Sequence, residues 1–354
     1  MGKKIISLVL ALVMCTSIAG MLTACGGGSE KSKIYFYNWG DYIGEDIIEL
    51  FEEENPEYEV VYDTFATNEE MYQKIVSSGI EYDLLIPSDY MISRMIKEDL
   101  LMEIDTSKLE NYKYIDEALT HLEYDPDAKY SVPYTWGVMG IVYNPKLVKE
   151  PVDSWSILWD KKYDQQILML DSVRDTMGCV LKSLGYSMNT GDAKEIAEAR
   201  DKLIEGKPLW ADWGVDTVKE PIVNESYAML LTWSGDAMEI MAENEDIEFA
   251  VPKEGSNIFF DSMVIPKNSR NPEGAMKLID FLCRTDVAAM NAEYIGYSTP
   301  QTEALKELGD EYINDPTYNP SKEVIDRCEV FYDIGDSMDL WNEAWERVRQ
   351  ASVD

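Results

Sequence analysis

Histidine is nearly missing: His121 is the single one in a chain of 354 residues. A histidine-based zinc site or a Ser-His-Asp triad is therefore not expected. Cysteine is scarce, with five residues, no CxxC pair and no metal-ligand spacing. Cys179, Cys283 and Cys328 read as small buried hydrophobes rather than ligands. No GxxxxGK[ST] stretch occurs, which excludes ATP hydrolysis by a P-loop. Positive charge is also short. Lysine and arginine number 31 against 67 acidic residues, for a formal net charge of −36. A nucleic-acid partner needs a positive face and is not expected; a cationic ligand would gain from this field. We expect no enzyme, no metal and no cofactor.

Long hydrophobic runs are equally rare. The uncharged run Ile5 to Ala24 follows Lys3 and Lys4 and ends in Leu22-Thr23-Ala24-Cys25, then Gly26-Gly27-Gly28-Ser29. A basic start, an apolar middle and small residues before a cut describe an export signal over residues 1–24; an uncleaved membrane helix is the alternative. The cysteine directly after the cut resembles a bacterial lipoprotein signal. That resemblance implies a lipid on Cys25, a tether over 25–32 and an extracytoplasmic protein anchored at the cell membrane. Losing residues 1–24 removes two lysines and leaves the mature chain more acidic still.

What is abundant is apolar and aromatic residue, 45% and 11%, enough for a sizeable core and two domains. Strand-like and helix-like segments alternate. Ile47, Ile48, Leu50 and Phe51 share a helical face before Asn55-Pro56. Tyr58 to Phe65 reads as a strand. Thr67 with Glu70 makes a capping box before Met71 to Val76. Residues 82–87, 165–170, 227–233, 247–252 and 258–266 read as strands. Helices are expected near 174–184, 193–204 and 236–244, and through most of the chain from Pro272. This order argues an α/β fold of two lobes with mixed sheets and a hinge. The stretch SVPYTWGVMGIVYN (131–144) is expected to cross between the lobes.

Ligands of open α/β sheets lie beyond strand carboxyl ends, and several strand ends here carry one chemistry. Trp39, Asp41 and Tyr42 follow the first strand. Ser88, Asp89 and Tyr90 follow LLIP. Asp171, Ser172 and Asp175 follow ILML. Trp233, Ser234 and Asp236 follow MLLT. Phe259 and Asp261 lie two apart and so share a strand face; Tyr297 sits between a glycine and a proline. Aromatic faces attract cations and carboxylates take charge-assisted hydrogen bonds from ammonium groups. Asp41 and Asp236 are placed as acids at helix N-termini, which keep them ionised. Taken singly, each residue also fits a plainer role: a rim or core aromatic, a turn acid, a helix cap.

The segments YFYNWGDYI, NEEMYQKI, YDLLIPSDYMISRMIKEDLL, SVPYTWG, WSGDA, PKEGSNIFFDSMVIP and IGYSTP, in this order over about residues 33–350, resemble the bacterial spermidine/putrescine-binding proteins of ABC importers. The resemblance implies a two-lobe Venus-flytrap fold of the periplasmic-binding-protein type, with lobe 1 over 33–137 and 260–313 and lobe 2 over 138–259 and 314–354. It implies a monomer that holds a polyamine in the cleft and delivers it to a permease with a separate ATPase. Carried over by position, it implies ligand contacts from Trp39, Asp41, Tyr42, Ser88, Tyr90, Trp233, Asp236, Asp261 and Tyr297. Asp175 stands where the family usually has Glu. Phe259 stands where putrescine-type members have Phe and spermidine-type members Trp. Ser172 stands where spermidine-type members carry an acid, and Phe331 where some have Gln. These departures lean toward a short site for a diamine. A binding protein for another small polar solute, such as a sugar or an amino acid, is the alternative; a hydrolase with paired carboxylates is a more distant one.

Overall fold

The structure, a computed structural model, describes residues 31–352. The expected signal segment, Cys25 and most of the tether lie outside the described residues. Among the described residues no helix is long and apolar enough to cross a membrane.

Among the described residues nine strands form one mixed sheet: β1 (Ser32–Trp39), β2 (Tyr58–Phe65), β3 (Leu84–Leu85), β4 (Ser131–Tyr143), β5 (Ile167–Leu170), β6 (Trp210–Gly214), β7 (Met229–Trp233), β8 (Glu248–Ala250) and β9 (Ile258–Val264). The order is β2-β1-β3-β9-β4-β7-β5-β6, with β8 on β4. β1 runs parallel to β2 and β3, and β5 runs parallel to β6 and β7. The remaining pairings are antiparallel. Two sheets were expected; one continuous path is found, and β4 explains it. Its first part, Ser131 to Val138, pairs with β9, and its last, Met139 to Tyr143, pairs with β7. Thirteen residues at about 3.3 Å each are long enough to belong to both halves.

The apolar side chains gather on either side of this crossing. Cores on one side draw on Ile34 to Val138 and on Ile258 to Tyr297. The largest on the other side draws on Met139 to Leu231 and Phe331 to Val348. Local signals explain many boundaries. The helix Ile47–Glu54 buries Ile47 and Phe51, one turn apart. The helix Asn68–Ser77 starts at Thr67, whose hydroxyl accepts from Glu70 N at 3.1 Å. The Glu70 carboxylate accepts from Ala66 N, one residue earlier than the usual reciprocal bond. β6 was not expected from sequence. Its alternating Trp-Ala-Asp-Trp-Gly is short and lies at the sheet edge, where only one neighbour is needed.

Candidate functional site

The loop after β1 is held by three hydrogen bonds to its backbone. Buried Asn38 accepts from Trp39 N at 2.9 Å and donates to the Tyr42 carbonyl at 3.2 Å. The Tyr134 hydroxyl donates to that same carbonyl at 2.7 Å. The Trp39 indole donates to the Ile86 carbonyl at 2.8 Å, which ties it to the end of β3. So fixed, the Tyr42 ring turns inward. Its hydroxyl donates to Asp261 Oδ2 at 2.6 Å and lies 2.5 Å from Thr135 Oγ1. Thr135 and Asp261 are register partners across β4 and β9, and Phe259 faces Gly137 two residues away. Phe259 and Asp261, two residues apart, lie on one face of β9.

Phe259, Tyr297 and Tyr42 form an aromatic cluster. Tyr297 meets Tyr42 edge-on at 5.0 Å and Phe259 at 6.0 Å between ring centres. Two glycines make room. A Cβ on Gly235 would fall 2.1 Å from the Tyr297 ring, and one on Gly137 would fall 2.7 Å from Phe259 Cζ. The Tyr297 hydroxyl donates to Asp236 Oδ1 at 3.2 Å, and the Thr232 hydroxyl donates to Asp236 Oδ2 at 2.9 Å. Asp236 sits in the first turn of the helix Ser234–Glu243, as expected, directly after Trp233 at the end of β7. Asp175 is in the first turn of the helix Val173–Ser183 and accepts from the Ser172 hydroxyl at 2.6 Å.

Three carboxylates are thus buried, with Asp261, Asp236 and Asp175 exposed by only 5%, 8% and 9%. Burial raises each above the ordinary carboxylate range. For Asp261 the rise reaches about 6; burial drives it, the Ser88 and Tyr42 hydroxyls oppose it, and the charge of Asp175 adds to it. Burial also dominates at Asp236, where Lys219 and Thr232 oppose it, and at Asp175, where Ser172 and Trp233 do. Asp261 Oδ1 is fully buried, and among the described residues no donor meets it in hydrogen-bonding geometry; the Ser88 hydroxyl lies near enough to lower the acid's value but makes no such bond. An unmade bond of this kind costs about 1–3 kcal/mol, more for a charged group. A cationic donor is the chemistry that removes the cost.

The other expected residues fall around this centre. Ser88 bridges to Asp261 through the backbone and accepts from Asn68 Nδ2 at 3.0 Å. The Tyr90 hydroxyl donates to Glu69 at 2.9 Å, and its ring meets Phe331 edge-on at 6.2 Å. Asp41 is a correction. It is exposed, has a left-handed φ of 44° and makes no side-chain hydrogen bond, and the following helix begins only at Ile47. It does not stand at a helix N-terminus and the structure does not bring it to the buried acids. Asp171 turns away to pair with Arg349. His121 lies in an exposed turn against the Pro126 carbonyl. Among the described residues no group of three metal-ligating side chains is found.

Sequence reading missed three contributors, Thr135, Arg174 and Lys219, and gave Asp89, noted at its strand end, only the role of a turn acid. Thr135 shares the Tyr42 hydroxyl. Asp89 is wholly buried and accepts from Phe260 N at 3.2 Å. Arg174, 2% exposed, places its guanidinium 4.4 Å from the Phe331 ring and 5.2 Å from the Tyr90 ring. Lys219 reaches within 3.8 Å of Asp236. Of the three missed residues only Arg174, next to Asp175 in sequence, carried a local signal.

A family model for bacterial extracellular solute-binding proteins matches residues 46–320. The chain belongs to this family. Its members bind solutes and are not hydrolases, so the hydrolase alternative falls. The chain is 36% identical over 323 residues to a spermidine/putrescine-binding periplasmic protein of Salmonella typhimurium, covering 91% of this chain and 92% of that protein. It is 29% identical to a putrescine-binding periplasmic protein of Pseudomonas aeruginosa, covering 99% of each. A solved structure described as a spermidine/putrescine ABC transporter from Listeria monocytogenes superposes with a TM-score of 0.87 at 40% identity, over 90% of this chain and 99% of that one. A lipoprotein of Treponema pallidum superposes with a TM-score of 0.81 at 30% identity, over 90% of this chain and 99% of that one. The two-lobe periplasmic-binding-protein fold expected from the sequence is thus the fold found.

Proposed function

We propose that this solute-binding protein captures a polyamine, putrescine or spermidine, on the extracytoplasmic side and hands it to an ABC permease driven by a separate ATPase. The observation that carries the reading is Asp261, a buried carboxylate with one oxygen unpartnered, set among Tyr42, Phe259 and Tyr297. Sugars present neutral hydroxyls and would leave buried carboxylate charge uncompensated. A dication neutralises it, and its methylenes suit the rings. The relatives' names point to the same ligand class.

Asp261 and Asp175 take the two ammonium groups, since each has spare acceptor capacity; Trp39, Tyr42, Trp233, Phe259 and Tyr297 enclose the methylenes. Ser88 and Tyr90 border this space, and Asp236 stands beside it as a third acid. Asp41 is left at the rim. Phe259 and Ser172 favour a diamine over a longer amine. The lobes divide at 137/138, 259/260 and 313/314, and closure between them brings the acids together. Cys25 carries the lipid that holds an otherwise monomeric protein to the membrane. A thermal-shift panel of putrescine, cadaverine, spermidine, amino acids and sugars tests the reading. Stabilisation by polyamines alone is expected; stabilisation by a sugar or amino acid and not by polyamines would overturn it.

A further inference from the structure

Lys219 opens the short helix Lys219–Val223, and its side chain is 11% exposed. Its ammonium sits in a nest of three carboxylates: Glu239 at 2.7 Å, Asp236 at 3.8 Å and Asp216 at 3.9 Å. The nest adjoins the aromatic cluster, since Asp236 also takes the Tyr297 hydroxyl. A Cβ on Gly40, in the loop that carries Trp39 and Tyr42, would be 3.9 Å from Asp216 Oδ2. Asp236 is also bound by Tyr297 and Thr232, so both its oxygens are engaged from within the protein.

A lysine side chain is four methylenes ending in an ammonium, the same chemistry as one end of a diamine. We propose that Lys219 is a specificity-determining residue: as a built-in amine end it fills the acidic nest at Asp236, leaving acids for two ligand ammonium groups and none for a third. This rests on the polyamine reading above. Burial works against the Lys219 charge, but Asp236, Glu239 and Asp216 together hold the ammonium above its ordinary range, so it stays charged at neutral pH. A triamine must either place its third ammonium away from any free carboxylate or displace Lys219. A diamine meets neither cost. Removing the lysine leaves Asp236, Glu239 and Asp216 without the cation they share, and the longer amine gains from it while the shorter one does not.

The test is calorimetry of the purified protein with putrescine and spermidine. Lys219→Met is expected to shift the ratio of the two dissociation constants at least tenfold toward spermidine. Lys219→Gln gives the same readout should the methionine variant fold poorly. Lys219→Arg, which keeps the charge, should hold the wild-type ratio, and the double variant Lys219→Met/Asp236→Asn should lose the shift. A shift below tenfold in both neutral variants overturns the role of Lys219. If neither amine binds the wild-type protein, the polyamine reading itself fails. If wild type binds and the ratio stays fixed, only the lysine claim does.

Discussion

The Tyr42 hydroxyl donates to Asp261 Oδ2 at 2.6 Å, while Oδ1, fully buried, meets no donor among the described residues. The pair comes from chain segments 219 residues apart. The tyrosine orients the carboxylate. Tyr42→Phe removes the orienting bond and leaves Thr135 without its partner as well. We expect polyamine affinity to fall roughly five- to tenfold, consistent with about 1–1.5 kcal/mol for one net hydrogen bond. Calorimetry checks this, and near-wild-type affinity would mean that Tyr42 contributes only its ring.

Binding should weaken in acid. An ammonium ligand requires ionised Asp261, whose value near 6 makes protonation compete from that pH downward. The dissociation constant should rise roughly fivefold from pH 6 to 5 on this account and approach tenfold per unit below. Stability has the opposite sign. The folded value is raised, so protonation stabilises the ligand-free fold. That contribution is fully present below the unfolded carboxylate value of about 4 and is lost as pH rises through about 6. Any melting advantage of ligand-free Asp261→Asn over wild type should therefore shrink from pH 7 to 5. Melting scans at the two pH values, with and without putrescine, check both signs.

Local signals carried much of this fold and site. Strand ends announced Trp39 and Trp233, the last residues of β1 and β7, and the two-residue spacing from Phe259 announced Asp261 within β9. β4 was legible as the crossing strand because its run of thirteen residues, mostly apolar and aromatic, is longer than one half of a sheet needs. Asp41 was misread because nothing in NWGDYIG specifies that the chain turns left-handed there and sends the acid outward. Lys219 and Thr135 were invisible for a different reason. Each matters only through a neighbour across the sheet or cleft, and such proximity is set by tertiary packing alone. β6 was missed because its pattern of two tryptophans around an aspartate reads equally well as a loop.

The anchor prediction concerns Cys25. Expressed in a bacterial host with a labelled fatty acid, the wild-type protein should incorporate label and partition with membranes. Cys25→Ala should do neither. Equal labelling of the two, or of neither, would remove the lipid from the account while leaving the ligand site untouched.

Asp261→Asn tests the central claim most directly. The change keeps the shape of the side chain and a hydrogen-bond acceptor for Tyr42 but removes the charge. On one preparation, polyamine affinity is measured by calorimetry and the melting of the ligand-free protein by scanning. We predict affinity at least tenfold weaker, about 1.4 kcal/mol, with ligand-free melting at pH 7 no lower than wild type because an uncompensated buried charge has gone. An unchanged dissociation constant would take Asp261 out of the site and contradict the account.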